Sequence, residues 1–535
     1  QDKKALAEKQ MEIMRLIIPR YKKMQEEGRI ELSVTPFYHP ILPLICDSEI
    51  AREANRSVKL PKNHFMRPED AAAQIKSAVD YYTQKFGVPP EGMWPSEGSV
   101  SEAVIQIAAS AGIKWMATDE AVLANSLGHR LSAQELFIPH TAAKDGVSVS
   151  MVFRDRKISD DIGFLYSRWN PRDAAADIMA KLHHIADILP DDDRRYLVSV
   201  ILDGENAWEY YSRNGRDFFE QLYGMLSSDG RIKTVRVKDF LKENHPSSTL
   251  PRLFPGSWIN ANFDVWIGHE EDNRSWDYLF QARQMLAETE TAPKEAWDEL
   301  YIAEGSDWNW WYGDDHSSAN DEDFDALYRK HLINIYKLAG KDYPRYLEAS
   351  IKVMKAVKAL REPVYFIDPI LDGEISNYYE WLSAGLYSVD QARGAMHQTE
   401  TLIRNIYYGF SRKTLFVRID PTIDLSCDDP EMRGVSFEVN ILKPHAKKVE
   451  LKCSEQGEKT FVLYRHDDAK NWVKDKDLSS VGVGRVIELG VDFPDLGIKE
   501  RDEIQMTVAV KRSGKELESW PKGGVIAFKA PDEDF

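Results

Sequence analysis

The stretch Tyr196-Leu-Val-Ser-Val-Ile-Leu-Asp203-Gly204-Glu205-Asn-Ala-Trp208-Glu-Tyr210-Tyr211 decides how the chain is read. Its first seven residues form a short apolar, β-branched run, which predicts a strand buried on both faces, as in a parallel sheet covered by helices. At the carboxyl end of that run two carboxylates, Asp203 and Glu205, straddle Gly204, the residue that best tolerates a tight turn. Trp208, Tyr210 and Tyr211 follow. An Asp-Gly turn that closes a strand and caps the next helix uses the same residues. Acid groups beside aromatic faces at the mouth of a buried strand also suit a polar, ring-shaped ligand.

Upstream, the same unit recurs. Lys4 to Glu27 carries Leu6, Met14, Ile17, Ile18 and Tyr21 among charges, an amphipathic helix stopped by Gly28. Ile30 to Thr35 alternates as a strand and runs into Pro36-Phe37-Tyr38-His39-Pro40. A helix over Pro68 to Phe86 opens with Pro-Glu-Asp, as a helix amino terminus should. Gly92-Met93-Trp94-Pro95-Ser96-Glu97-Gly98 then precedes an Ala/Ile/Val helix from Ser101 to Ala111. Further strands are predicted at Ile113 to Thr118, Val147 to Phe153, Leu197 to Leu202 and Ile232 to Val237. Strands alternating with helices argue for parallel βα units. In closed βα barrels the working face carries the strands' carboxyl ends, so His39, Glu97, Asp119, Asp155 and Asp203 would converge there. Gly256-Ser257-Trp258-Ile259 reads as a loop entering the same face.

Between Lys294 and Gly340 the pattern turns helical and strongly aromatic, around Glu304-Gly-Ser-Asp307-Trp308-Asn-Trp310-Trp311-Tyr312-Gly-Asp314-Asp315-His316. This is too much apolar surface for an exposed loop and too many polar groups for a dry core, whereas carbohydrate platforms combine both. A buried helix junction is the competing reading. Helices are predicted on through Tyr346 to Leu360 and Asp390 to Tyr408. From about Lys413 short runs separated by turn residues predict an all-β sandwich. Its strands are expected at Thr414 to Ile419, Val435 to Ile441, Val449 to Lys452, Thr460 to Tyr464, Val486 to Leu489, Glu503 to Val510 and Val525 to Lys529.

Composition narrows the function. The 535 residues hold 69 Lys plus Arg against 87 Asp plus Glu, a net charge of −18, which repels nucleic acid and anionic membranes. Cys46, Cys427 and Cys453 are far apart and read as buried thiols rather than a disulfide framework. No apolar run approaches the roughly 20 residues that span a bilayer, and no signal peptide is visible, so a cytoplasmic location is expected. The histidines form no HxxxH or HExxH pair and no Gly-rich phosphate loop is present, so neither a metal nor another cofactor is expected. Carboxylates at strand ends instead fit acid/base and covalent carboxylate chemistry on an acetal.

Taken together, VTPFYHPILPL (34–44), GMWPSEGSV (92–100), ILDGENAWEYY (201–211) and AEGSDWNWWYGDDH (303–316) resemble glycoside hydrolase family 57, in the family's order. Phe153-Arg154-Asp155 with Ser159-Asp160 and Gly163-Phe164, and Gly394 to His397, add weaker support. The third and fourth stretches look most like the amylopullulanase branch. The resemblance implies a retaining enzyme on α-glucans such as starch or glycogen, with Glu97 as nucleophile and Asp203 as general acid/base. The implied fold is α/β, an incomplete (β/α)7 barrel over 1–293, a helical region over 294–412 and a C-terminal β-sandwich over 413–535. His39, Trp94, Glu205, Trp208, Asp307, Trp308, Trp310 and His316 are the expected sugar contacts. Trp94, Trp308 and Trp310 would stack; His39 and His316 would meet hydroxyls or developing charge; Glu205 would bind hydroxyls or shape the turn. The family's first motif, His-Gln-Pro, is absent, which implies that a first strand is missing and that residues 1–535 are less active than a longer parent. Hydrolysis of α-1,4 and α-1,6 bonds, transfer by a 4-α-glucanotransferase or branching enzyme, and a non-catalytic carbohydrate-binding homologue share these motifs.

Overall fold

The computed structural model describes residues 2–204, 208–313, 315–316, 320–352, 355–357, 359–375, 379–389, 401–423, 425, 432, 434–453, 459–467, 471–521 and 524–532. Glu205, Asp314, Cys427 and the Gly394 to His397 motif therefore lie outside the described residues. The chain divides into two compact units, Gln1–Gly313 with Leu327–Ala349, and Asp314–Ala326 with Ser350–Phe535.

In the first unit, the strands are β1 Gly92–Met93, β2 Trp115–Asp119, β3 His140–Lys144, β4 Val147–Arg154 and β5 Ser248–Thr249, ordered β1-β2-β4-β3-β5. β1, β2 and β4 are parallel. Single parallel bridges extend the series at both ends, Val34 to Met93 and Arg154 to Ser199. The parallel sheet thus follows chain order, as consecutive βα units should. Three expected strands come out differently. Ile30 to Thr35 and Tyr196 to Leu202 each contribute one bridge rather than a ladder. Ile232 to Val237 forms no strand, because Val237 opens a helix, Val237–Glu243, and the Glu31 carboxylate accepts from the Lys238 N–H at 2.9 Å. β4, expected only as a parallel strand, also forms an antiparallel hairpin with β3, closed by Asp145 and Gly146 at φ 48° and 85°. An Asp-Gly pair with both residues in the left-handed region is the turn whose twist matches a two-residue hairpin.

Tyr196 to Leu202 is half-buried where full burial was expected. Its period of two is nonetheless visible in its packing. Leu197 and Ile201 join Trp94, Trp115, Ala117 and Val152, while Val198 and Leu202 join the cluster under helices Pro171–Ile188 and Arg216–Ser228. Asp203 follows Leu202 directly, at the carboxyl end of this segment.

Helix Pro68–Phe86 forms as expected, with Pro at its first turn and Gly87 at φ 84° ending it. The amino-terminal helix, Asp2–Glu26, also forms, but Leu6, Met14, Ile17, Ile18 and Tyr21 are exposed. Cys46 is buried, and burial pushes its thiol up to about 12, which makes it inert.

In the second unit the strands are β6 Lys355–Val357, β7 Gly385–Ser388, β8 Ile403–Phe410, β9 Thr414–Pro421, β10 Val435–Lys443, β11 Lys447–Cys453, β12 Lys459–His466, β13 Trp472–Asp477, β14 Val481–Val483, β15 Ile487–Asp492, β16 Glu503–Arg512, β17 Lys515–Trp520 and β18 Gly524–Lys529. One sheet runs β13-β12-β11-β10-β16-β18-β6 with β17 on β16, and the other runs β14-β15-β9-β8-β7. All pairings are antiparallel except β18 with β6. Ile406, Val417 and Ile487 from one sheet share a core with Val439, Leu463 and Val508 from the other. The helix expected over Tyr346 to Leu360 is instead a short 3-10 turn, Arg345–Glu348, followed by β6. The end of the helix expected over Asp390 to Tyr408 is β8, because its aromatic and β-branched residues pair with β9.

Candidate active site

Glu97 follows β1 in a tight 3-10 turn, Ser96–Gly98, and its backbone stands at φ 56°, ψ 27°. For a residue with a Cβ this left-handed conformation costs about 1–2 kcal/mol, so the surroundings must hold it. They do so from the loop Gly256 to Ile259. Val100 and Gly256 exchange backbone hydrogen bonds of 2.9 and 3.1 Å, and the Trp258 N–H donates to the Glu97 carbonyl at 3.0 Å. The Trp258 indole Nε1–H then donates to Glu97 Oε2 at 2.8 Å. Trp94 meets Trp258 edge to face at 5.5 Å. Gly98, at φ 61°, has no room for a Cβ, which would fall 2.8 Å from the Trp94 ring.

The strand-end segment of Asp203 is reached through Arg154, the last residue of β4. Arg154 Nε donates to the Ile201 carbonyl at 2.7 Å, and Ile201 N donates to Ser159 Oγ at 3.1 Å. The Arg154 guanidinium lies 5.2 Å from the Trp258 ring. Glu97 and the Asp203 segment are therefore joined by two intermediates, Trp258 and Arg154. Asp119 and Asp155, expected to converge with them, are occupied locally. Fully buried Asp119 caps the helix Glu120–Leu127 through Ala121 N and pairs with Arg154 and Arg156. Asp155 caps Arg156–Asp160 through Ile158 N, and burial raises its carboxyl above the usual range.

His39, at φ 57°, joins the first motif to the aromatic one. Its Nδ1 shares a 2.8 Å hydrogen bond with Ser306 Oγ, and Ser306 N donates to the His39 carbonyl at 3.0 Å. Gly305 is needed beside this contact, because a Cβ there would lie 2.8 Å from the Tyr38 carbonyl oxygen. Of the expected sugar contacts, Trp308 donates through Nε1 to the Ile302 carbonyl at 2.7 Å and packs on Tyr328 and His331. Trp310 lies 6.3 Å from Trp266, and Asp307 is exposed. Trp208 packs at 4.4 Å on Phe219, on the helix side of the Asp203 segment. His316 is half-buried and belongs to the second unit. Sequence reasoning missed Trp258 and Ser306 as individual residues. The loop of the first was legible, but a lone Trp and a lone Ser carry no spacing signal.

Behind Ser306 lies a buried acid pair. Arg283 grips Asp70 through Nε at 2.6 Å and Nη2 at 3.0 Å, and Gln74 donates to Glu304 Oε2 at 3.0 Å. Burial, then the charge of Asp70, raises the Glu304 carboxyl well above its ordinary range. A carboxyl raised on folding adds stability at pH below its unfolded value and loses it as pH rises through the folded one. Glu304→Gln, which keeps the shape and cannot ionise, is expected to melt with the wild type in acid and above it as pH rises. Thermal unfolding from pH 4 to 9 checks this, and parallel curves would contradict a protonated Glu304.

Alpha-amylase 1 of Dictyoglomus thermophilum is 33% identical over 98 residues, 18% of this chain and only 11% of that protein. A GH57 branching enzyme of Thermococcus kodakaraensis superposes with a TM-score of 0.47 at 16% identity, covering 60% of this chain and 68% of that one. A 4-alpha-glucanotransferase of Thermococcus litoralis gives 0.46 at 13% identity, over 89% and 88% of the two chains. At these values no activity passes from those proteins to this one. Among the described residues no helix is long and apolar enough to cross a membrane. The family model of glycosyl hydrolase family 57 matches residues 3–252, the span that carries Glu97, Arg154 and Asp203, and that part of the chain belongs to the family.

Proposed function

We propose that this protein is a retaining α-glucan hydrolase in which Glu97 is the nucleophile and Asp203 the general acid/base. The observation that supports it most is the Trp258 N–H on Glu97 Oε2, in a turn that holds the glutamate in a costly conformation. A nucleophilic carboxylate must be aimed and ionised, and an indole N–H bonds only the charged, accepting form of that oxygen or its carbonyl. In the first step Glu97 attacks the anomeric carbon while Asp203 gives its proton to the leaving glucosyl oxygen. In the second, Asp203 takes a proton from water, which attacks the glucosyl-enzyme and frees Glu97. Retention requires the two carboxyls about 5–5.5 Å apart, with one of them protonated. His39, Trp94, Asp307 and Trp310 are the proposed sugar contacts on the first unit, within the incomplete barrel; Trp208 and Trp308 sit in packing that supports a structural part. The polypeptide's second unit, proposed as a β-sandwich, accompanies it.

Transfer to a sugar hydroxyl in place of water is the second reading, because the chemistry of Glu97 and Asp203 is the same for either acceptor. Thin-layer chromatography of maltoheptaose digests separates the outcomes. Only shorter oligosaccharides are expected; longer products would make the protein a transferase, and unchanged maltoheptaose would favour binding alone.

A further inference from the structure

Arg154 is 5% exposed, and it is surrounded by more partners than its charge requires. Nη1 faces Asp119 at 3.4 Å and Nη2 faces Asp160 at 2.5 Å, which already matches the buried cation with carboxylates. Asp119 has a second cation in Arg156, at 2.5 Å. The remaining two contacts are to neutral groups, the Ile201 carbonyl on Nε and the Trp258 ring on the guanidinium face. These two lead to the reacting carboxylates. Ile201 stands two residues before Asp203, and Trp258 donates to Glu97.

We propose that Arg154 is a positioning residue that sets Glu97 and Asp203 in register with each other, a proposal that rests on the roles given to those two carboxylates above. A guanidinium is planar and its N–H groups diverge in fixed directions. The bonds to Ile201 and Asp160 therefore fix its plane. The plane fixes where the indole of Trp258 rests, by cation–π attraction within the usual 6 Å. The indole N–H in turn fixes Glu97 Oε2. A lysine ammonium would keep the charge beside Asp119 and Asp160, but it has no plane and cannot pass the orientation on. Misplacing a reacting group by about 1 Å costs on the order of 10²-fold in rate.

The test is Arg154→Lys, read in two ways. On maltoheptaose, kcat is expected to fall about 10²-fold with KM within about threefold, since binding is kept and alignment lost. In protein carrying ¹⁵N-tryptophan, the indole N–H resonance of Trp258, assigned with Trp258→Phe, is expected to move in Arg154→Lys in the same direction as in Glu97→Gln. An unmoved resonance, or a kcat within about threefold of wild type, would overturn the proposal. If Arg154→Lys does not fold, Arg154→Gln with Asp119→Asn removes the buried charge on both sides and the same readings apply; a double variant that also fails to fold would make Arg154 a structural ion-pair centre and overturn it. If the wild type leaves maltoheptaose untouched, the functional reading fails, while the resonance still decides whether Arg154 positions Trp258 on Glu97.

Discussion

Glu97→Gln is expected to lower turnover on an α-glucan by about 10⁴–10⁶-fold, the scale seen when a covalent nucleophile is removed from a site that keeps its binding groups. The amide preserves the shape and still offers an oxygen to Trp258, so the fold should be unaffected. What it lacks is the negative charge and lone pair that form the glycosyl-enzyme bond. Asp203→Asn should lose less, about 10²–10⁴-fold, because proton transfer is one contribution among several and a substrate with a good leaving group needs no proton. The two variants are therefore separable. With an activated aryl glucoside Asp203→Asn should recover its first step, and Glu97→Gln should not. Equal losses on both substrates would mean that the nucleophile and the acid have been wrongly assigned, and activity retained by Glu97→Gln would remove it from the chemistry.

The second large effect concerns stability. Arg283 is buried with Asp70, and the cation also lies 3.0 Å from Glu69 and 4.8 Å from the Trp297 ring. Arg283→Met keeps the aliphatic stem and leaves Asp70 buried without its cation, which costs about 3–5 kcal/mol when one partner of a buried pair is removed. Burial already raises the Asp70 carboxyl above its ordinary range, against the pull of Arg283. Without the arginine the carboxyl can escape its penalty by taking a proton. The loss should accordingly be largest at pH 8 and shrink towards pH 4, and Asp70→Asn should recover much of it in the double variant. Urea unfolding of the single and double variants at both pH values measures this. A loss under about 1 kcal/mol at pH 8 would show that the pair is solvated in solution.

What the sequence made legible was governed by local periodicity and by chain ends of strands. Pro68 to Phe86 announces itself by Pro at the start and Gly87 at the stop, and both signals act within one turn. The strands of the second unit are short apolar runs between turn residues, and one shared apolar core gathers their side chains. Ile232 to Val237 is such a run too, yet its fate is decided by Glu31, a carboxylate about 200 residues earlier whose bonds to Lys238 N and to Trp115 Nε1 favour a helix start. Ile403 to Phe410 sits in a window with helical spacing, and pairing with β7 on one side and with β9, brought alongside by the turn at Ser411, on the other makes it a strand. The site divides similarly. Glu97 and Asp203 stand at strand ends, where a residue's place follows from its own segment. Trp258, Ser306 and Arg154 act through partners distant in sequence, and their importance is a matter of what folding sets beside them.

Glu97's left-handed backbone carries an evolutionary consequence. In the nucleophile's role proposed for it, Glu97 is a glutamate at a place where asparagine or glycine would rest without strain. Selection for turnover and selection for a durable fold thus pull against each other at this one codon. A lineage relieved of catalysis, and kept only for its grip on glucan, would drift towards asparagine or glycine there and grow more robust as it did so. A lineage still under demand for turnover is held at glutamate. Among relatives of this chain, the residue in that turn would distinguish working enzymes from those that have retired into binding.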